Sequence, residues 1–226
     1  MTQVYFDNAA TTKIREEVID AMAKVMRDSY GNASSAHSFG RVAKSLIEQS
    51  RKTIAGYLNV SAGEIVFTSG GTEADNLVLQ SAVRDLHVTH IITSKIEHHA
   101  VLHTIEQLKK AYNISVSFVN INTDGHVDYS HLEALLNSSD KTLVSLMHVN
   151  NEVGNLLDIK RVAHLCKANN ALFHSDAVQS VGHYKLDLQD IQVDFMAASA
   201  HKFHGPKGVG FAFIRKHSGL KPLIFG

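Results

Sequence analysis

Seven short apolar runs, rich in β-branched and aromatic residues and bounded by turn formers, alternate with helix-spaced segments along the chain. No other feature restricts the fold as strongly. The runs are Ile65 to Thr68, His90 to Thr93, Ser115 to Asn120, Thr142 to Met147, Ala171 to His174, Val193 to Ala197 and Val209 to Ile214. Helical spacing occupies Ile14 to Met26, Val42 to Tyr57, Glu73 to Val83, Ala100 to Ala111 and Ile159 to Lys167. Alternation of this kind predicts α/β layers around a mainly parallel sheet. The 226 residues, 44% of them hydrophobic, are enough to bury one sizeable core. No repeat period, low-complexity tract or internal linker breaks the pattern, and Pro206 and Pro222 are the only prolines.

Charge and cysteine content narrow the function classes. Lys plus Arg (22) balance Asp plus Glu (22), so no global field recruits nucleic acid or an anionic membrane. The expected partner is small. The single cysteine, Cys166, forbids an internal disulfide framework. The start Met-Thr-Gln-Val-Tyr-Phe lacks the pattern of a signal peptide, no stretch is long and apolar enough to span a bilayer, and the expected location is the cytoplasm. Fifteen histidines are scattered without structural zinc spacing, so no metal site is expected. Residues 221–226 form an apolar run that stops on a glycine, and the chain is expected to end inside a larger architecture.

Three places carry chemistry. Ile65-Val-Phe-Thr-Ser-Gly-Gly-Thr-Glu-Ala-Asp-Asn76 reads as strand, glycine turn and helix start, which gathers free backbone amides and the positive helix end into an anion site. It is neither a Walker loop nor GxGxxG. The plainer alternative is that Thr72 and Asp75 only cap the helix, although one set of residues can both cap and cradle. Asp176 follows an apolar strand at the carboxyl edge, where open α/β sheets bind ligands, and needs a cationic partner there; a turn cap is the alternative. Lys202 joins a strand of small residues to a glycine-rich turn, a place where partial desolvation lowers an amine's pKa and favours Schiff-base chemistry. Lys207 competes, but its Gly-Pro-Lys-Gly setting reads as an exposed tight turn. An anion cradle, a strand-end carboxylate and a strand-end lysine together meet the needs of pyridoxal 5'-phosphate: a phosphate anchor, a partner for the ring nitrogen and an aldehyde carrier.

The chain also resembles the NifS/IscS-like cysteine desulfurases of the class V aminotransferase group. The resemblance rests on Tyr5-Phe-Asp-Asn-Ala-Ala-Thr-Thr12, Gly31-Asn-Ala-Ser-Ser-Ala-His37, Thr68-Ser-Gly-Gly-Thr-Glu-Ala-Asp-Asn76, Glu97-His-His-Ala100, His148-Val-Asn-Asn-Glu-Val-Gly154, His174-Ser-Asp-Ala-Val-Gln-Ser180 and Ser199-Ala-His-Lys-Phe-His-Gly-Pro-Lys-Gly208, in family order from end to end. It implies the fold type I large domain, a mainly parallel seven-stranded sheet between helices over residues 14–226, with residues 1–13 as an arm belonging to a small domain. It also implies roles: Gly71 and Thr72 on the phosphate, helped by Ser199 and His201; His98 stacked on the ring; Asp176 on its nitrogen; Gln179 on its phenolic oxygen. Asn151 lies by the ring and the substrate carboxylate, and Lys202 carries the cofactor, with Lys202 and His98 as the catalytic residues. Read without the resemblance, His98 is only a polar residue at a helix start.

The implied activity removes sulfur from L-cysteine, giving alanine and an enzyme persulfide whose sulfur passes to an iron-sulfur scaffold or a tRNA-thiolation factor, in a homodimer. Two departures stand out. The family's catalytic cysteine lies on a mobile loop well past the lysine, and its carboxylate-binding arginine lies later still; neither falls within these 226 residues. A phosphate-contacting threonine that the neighbouring subunit contributes falls beyond them as well. Cys166 precedes Lys202 and shares helical spacing with Ile159 and Val162, so it is expected to be an inert core residue. The alternatives are a catalytically inactive protein that binds the cofactor or a partner, and another class V member such as a selenocysteine lyase.

Overall fold

The computed structural model describes residues 3–137 and 140–224. All seven apolar runs form strands of one sheet: β1 (Ile65–Thr68), β2 (His90–Thr93), β3 (Ser115–Phe118), β4 (Thr142–Ser145), β5 (Leu172–Asp176), β6 (Phe195–Ser199) and β7 (Gly210–Ile214). Their order is β1-β7-β6-β5-β4-β2-β3. The pairs β2–β3, β2–β4, β4–β5 and β5–β6 are parallel, while β7 runs antiparallel to both β6 and β1. Every residue of β2, β4 and β6 is buried, the signature of strands covered on both faces.

The helices are α1 (Glu16–Asp28), α2 (Ser38–Leu58), α3 (Gly71–Leu86), α4 (His99–Tyr112), α5 (Tyr129–Leu136) and α6 (Ile159–Ala168). The first helix starts and ends two residues later than the spacing predicts. Helices α2, α3 and α4 stop at Asn59, His87 and Asn113, each in the left-handed conformation that frees the last turn's carbonyls for capping. Asp128 and Asp158 cap α5 and α6 by accepting backbone amides of the first turn. The sequence reading missed α5, whose eight residues span only about two turns. Cys166 lies on the buried face of α6 with Ile159, Val162 and Ala163, as its spacing predicts.

Two strand boundaries matter for function. The chain leaves the sheet earlier than predicted after β4, at Ser145, and later than predicted on β5 and β6, at Asp176 and Ser199. All three are parallel neighbours, so their carboxyl ends open on the same edge. Residues 3–13 run irregularly across that edge, held by the Thr12 amide and hydroxyl on the His201 carbonyl (2.8 and 2.9 Å). On α1 the apolar residues Ile19, Met22, Val25 and Met26 remain exposed. The expectation about the chain's end falls partly on residues 225 and 226, which lie outside the described residues.

Candidate active site

The site begins with the turn between β1 and α3. Gly70 adopts φ +156°, which favours glycine, and it is the N-cap of α3. A Cβ on Gly210 of β7 would lie 2.8 Å from the Gly70 Cα and 2.4 Å from the Ala198 carbonyl oxygen, so two glycines let the backbones approach closely. The first amides of a helix have no partner inside it, and Gly70 brings no side chain to cap them. The alternative that Thr72 and Asp75 cap the helix is therefore corrected. Thr72 lies within the first turn, where its carbonyl accepts from Asn76 Nδ2, and Asp75 is buried against β5. Glu73 reaches back to accept the Ser69 amide (2.7 Å), one residue before the N-cap.

Asp176 ends β5, almost fully buried, and accepts the Val178 amide at 2.9 Å. Burial pushes it up to about 7, so a cation in front of it would be bound strongly. Lys202 closes the short 3-10 turn Ala200–Lys202 that follows β6. Its Nζ is half-buried and donates to the carbonyls of Ala9 and of Ala10 (3.0 Å). Burial lowers its pKa, while Asp176 and Asp7 act in the opposite direction. Lys207 is exposed in the following turn and does not reach this place.

Every residue to which the resemblance gives a cofactor-site role borders one cavity of about 570 Å³: Gly71, Thr72, His98, Asn151, Asp176, Gln179, Ser199, His201 and Lys202. His98 is both a helix start and a wall of the cavity, since its Nδ1 accepts the Ala100 amide at the head of α4 (3.0 Å). Asn151 Nδ2 is engaged by Glu152 (2.7 Å), and Gln179 Nε2 donates to the Ala9 carbonyl (2.8 Å). His201 Nδ1 lies 3.2 Å from Thr11 Oγ1. Asp7, Ala9 and Ala10 border the cavity too, which the sequence reading did not foresee. The contacts of Ala9 and Ala10 run through backbone carbonyls, and these leave no mark in a side-chain pattern.

Glu97 and Asn150 hold the walls together. The buried Glu97 accepts Ser94 Oγ (2.6 Å) and the Met147 amide (2.9 Å), which ties the loop carrying His98 to the loop carrying Asn151. Asn150 reinforces the tie by donating to the Ile96 carbonyl (2.7 Å) and accepting the amides of Glu152 and Val153. Burial is the largest influence on Glu97 and pushes it up to about 8. Both Glu97 and Asp176 thus hold protons more tightly folded than unfolded. Their contribution to stability is complete below pH 4 or so and is lost as pH rises toward 8. Each of these groups loses about 1.4 kcal/mol of stabilisation per pH unit below its folded value, so the Tm of the cofactor-free chain is expected to fall between pH 5 and 8, and less steeply in Glu97→Gln. Thermal denaturation of the chain and of Glu97→Gln checks this; a flat profile, or an equal slope in the variant, would count against it.

The donor set fits pyridoxal phosphate. Uncapped helix amides suit its phosphate, a buried carboxyl suits a protonated ring nitrogen, and a half-buried amine stands on the same wall for its aldehyde. The aminotransferase class-V family model matches residues 4–226. The chain belongs to the class-V aminotransferase family. That family depends on pyridoxal phosphate, and both the family resemblance and the fold class expected from the sequence are borne out.

The chain is 42% identical to a cysteine desulfurase IscS of Dictyoglomus turgidum, over 99% of its own length and 57% of the relative's. It is 41% identical to a cysteine desulfurase IscS of Methanosarcina thermophila, over 99% and 55% of the two lengths. A solved NifS-like protein superposes with a TM-score of 0.95 at 41% identity, covering 100% of this chain and 62% of that one. A structure of SspA in complex with cysteine gives 0.93 at 34% identity, with 99% and 65% covered. This class-V member thus spans somewhat more than half the length of the curated relatives it matches.

Proposed function

We propose that the chain binds pyridoxal 5'-phosphate through Lys202 and carries the cofactor site of a cysteine desulfurase. The observation that supports this best is the convergence of Lys202, Asp176 and the open start of α3 on one cavity. When bound, the cofactor supplies an aldehyde that captures amines and a ring that accepts the electron pair released at Cα. Each residue then has a physical task. The amides of Gly71 and Thr72, with Ser199, His201 and the helix dipole, balance the phosphate charge. Asp176 keeps the ring nitrogen protonated, Gln179 meets the phenolic oxygen, and His98 covers one ring face. Lys202 Nζ, whose pKa burial lowers, is the base for the substrate Cα proton. Asn151, on the loop tied down by Glu97 and Asn150, meets the substrate carboxylate.

L-cysteine is the proposed substrate, supported by the desulfurase relatives and by the cysteine complex of SspA. The products are alanine and a persulfide whose sulfur passes to an iron-sulfur scaffold or a tRNA-thiolation factor. We assign residues 1–13, of which 1 and 2 lie outside the described residues, to an arm belonging to a small domain, and the exposed apolar face of α1 supports a homodimer. No helix among the described residues is long and apolar enough to cross a membrane. A cytoplasmic place belongs to the desulfurase reading.

Deuterium exchange at Cα tests the reading. The loaded chain in heavy water is expected to exchange the Cα proton of L-cysteine, and Asp176→Ala to slow that exchange about 100-fold, since loss of a charge facing the ring weakens the electron sink by roughly 3 kcal/mol. The variant should also shift the bound cofactor's absorption. Unchanged exchange and an unchanged spectrum would leave Asp176 as a turn cap.

A further inference from the structure

A second polar layer begins at the back of the cavity, where Asp75 itself contributes to the lining, and the cofactor roles leave it unused. Asp75, just past the first turn of α3, and His174, on β5, are each almost completely buried. Asp75 Oδ1 and His174 Nε2 stand 3.3 Å apart. Among the described residues neither atom has a hydrogen-bond partner. On its far side His174 Nδ1 lies 2.9 Å from Ser145 Oγ, its cross-strand neighbour on β4. His174 and Asp176 are two residues apart on one strand, so both side chains leave the same face of the sheet.

One proton placed between the two orphans satisfies both. On Nε2 it would leave Asp75 a bare carboxylate in the interior, close to Asp176 and Glu97. On Asp75 it leaves an acid donating to the Nε2 lone pair, while Nδ1–H donates to Ser145 Oγ. Coulomb repulsion decides between them, because carboxylates crowded into a low dielectric cannot all ionise. The charged and titratable groups facing Asp75 are His174 and Asp176 from β5 and Glu97 from the loop before α4. Burial keeps His174 uncharged, pushing it down to about 4, and raises Asp75 well above the carboxylate range, so the 3.3 Å contact is not an ion pair. Asp176 differs from Asp75 in accepting a backbone amide and in facing the lysine side of the cavity.

We propose that Asp75 and His174 are the positioning pair of this site: Ser145 orients His174, His174 accepts the proton of Asp75, and the negative charge of the carboxyl cluster is thereby left on Asp176. What that charge does for the ring rests on the pyridoxal-phosphate reading; where the charge sits belongs to the chain alone. The test is carboxyl ¹³C and imidazole ¹⁵N NMR of the cofactor-free 226-residue chain, with Asp75→Asn and Asp176→Asn to assign the resonances. Asp176 is expected to ionise near neutral pH while Asp75 stays protonated, and neutral His174 to carry its proton on Nδ1. Asp75→Asn, whose amide donates to Nε2 as the acid does, should leave the Asp176 midpoint in place. His174→Phe frees Asp75 to compete for the charge and should move that midpoint up by about one pH unit. A proton on Nε2, an ionised Asp75 at pH 7, or an Asp176 midpoint indifferent to His174→Phe would overturn the proposal. If His174→Phe does not fold, the wild-type tautomer and the protonation state of Asp75 decide the question. Failure of the cofactor reading shows separately, as a chain that takes up no pyridoxal phosphate while these NMR results stand.

Discussion

Borohydride reduction of the chain mixed with pyridoxal phosphate is expected to leave one stable adduct, on the peptide that contains Lys202, and Lys202→Ala is expected to lose it. Two amines compete for the aldehyde on the glycine-rich turn. Lys207 is exposed and does not border the cavity. Lys202 Nζ is half-buried and borders the cavity that Asp176 and the start of α3 also border. An amine so placed reacts with a bound aldehyde as a neighbour rather than as a solute, an advantage that effective molarities make large. Loss of the imine should weaken cofactor retention about 100-fold, or ~2.7 kcal/mol. Capture also requires Nζ to leave the carbonyls of Ala9 and Ala10, so uptake should be slower than diffusion allows. Absorption spectra and peptide mapping measure both quantities. An adduct on Lys207, or equal retention by the variant, would remove Lys202 from the site.

What the sequence disclosed and what it hid follow from range. The strands were legible because each is a local run of apolar, β-prone residues, and Asp176 and Lys202 were legible because polar residues at the ends of such runs stand out. Their ends were misplaced by a few residues. Strand β5 runs on to Asp176 through His174 and Ser175, polar residues buried only because Ser145 and the Leu146 carbonyl meet them across the strand boundary. Asp75 looked like a cap since it sits four residues from a glycine turn, and nothing local says that its partner lies 99 positions further along the chain. The arm is hidden more deeply, because Ala9 and Ala10 act through their carbonyls. Helix α5 is short enough that its apolar face is two turns of Leu and Tyr, which also suits a strand.

The 226-residue chain, loaded with pyridoxal phosphate, is expected to release no sulfide from L-cysteine at an enzymatic rate, staying at least ~10³-fold below a typical turnover of about 10 s⁻¹. Exchange of the Cα proton asks only for Lys202 and the cofactor, so it can proceed. Removal of sulfur asks for a thiolate that forms the new S–S bond as the substrate's Cβ–Sγ bond breaks. Cys166 is the only cysteine in the sequence, and it is 1% exposed on the inner face of α6. Burial, reinforced by Asp194, raises its thiol far above the usual range, so almost no thiolate forms at neutral pH. It also does not border the cavity that holds Lys202. Sulfide and alanine are to be measured with the chain and with Cys166→Ser, each with added cofactor and a reductant. Turnover that disappears in the variant would make Cys166 the nucleophile and overturn its assignment to the core. Turnover that persists would show that a thiol on the chain is not needed at all.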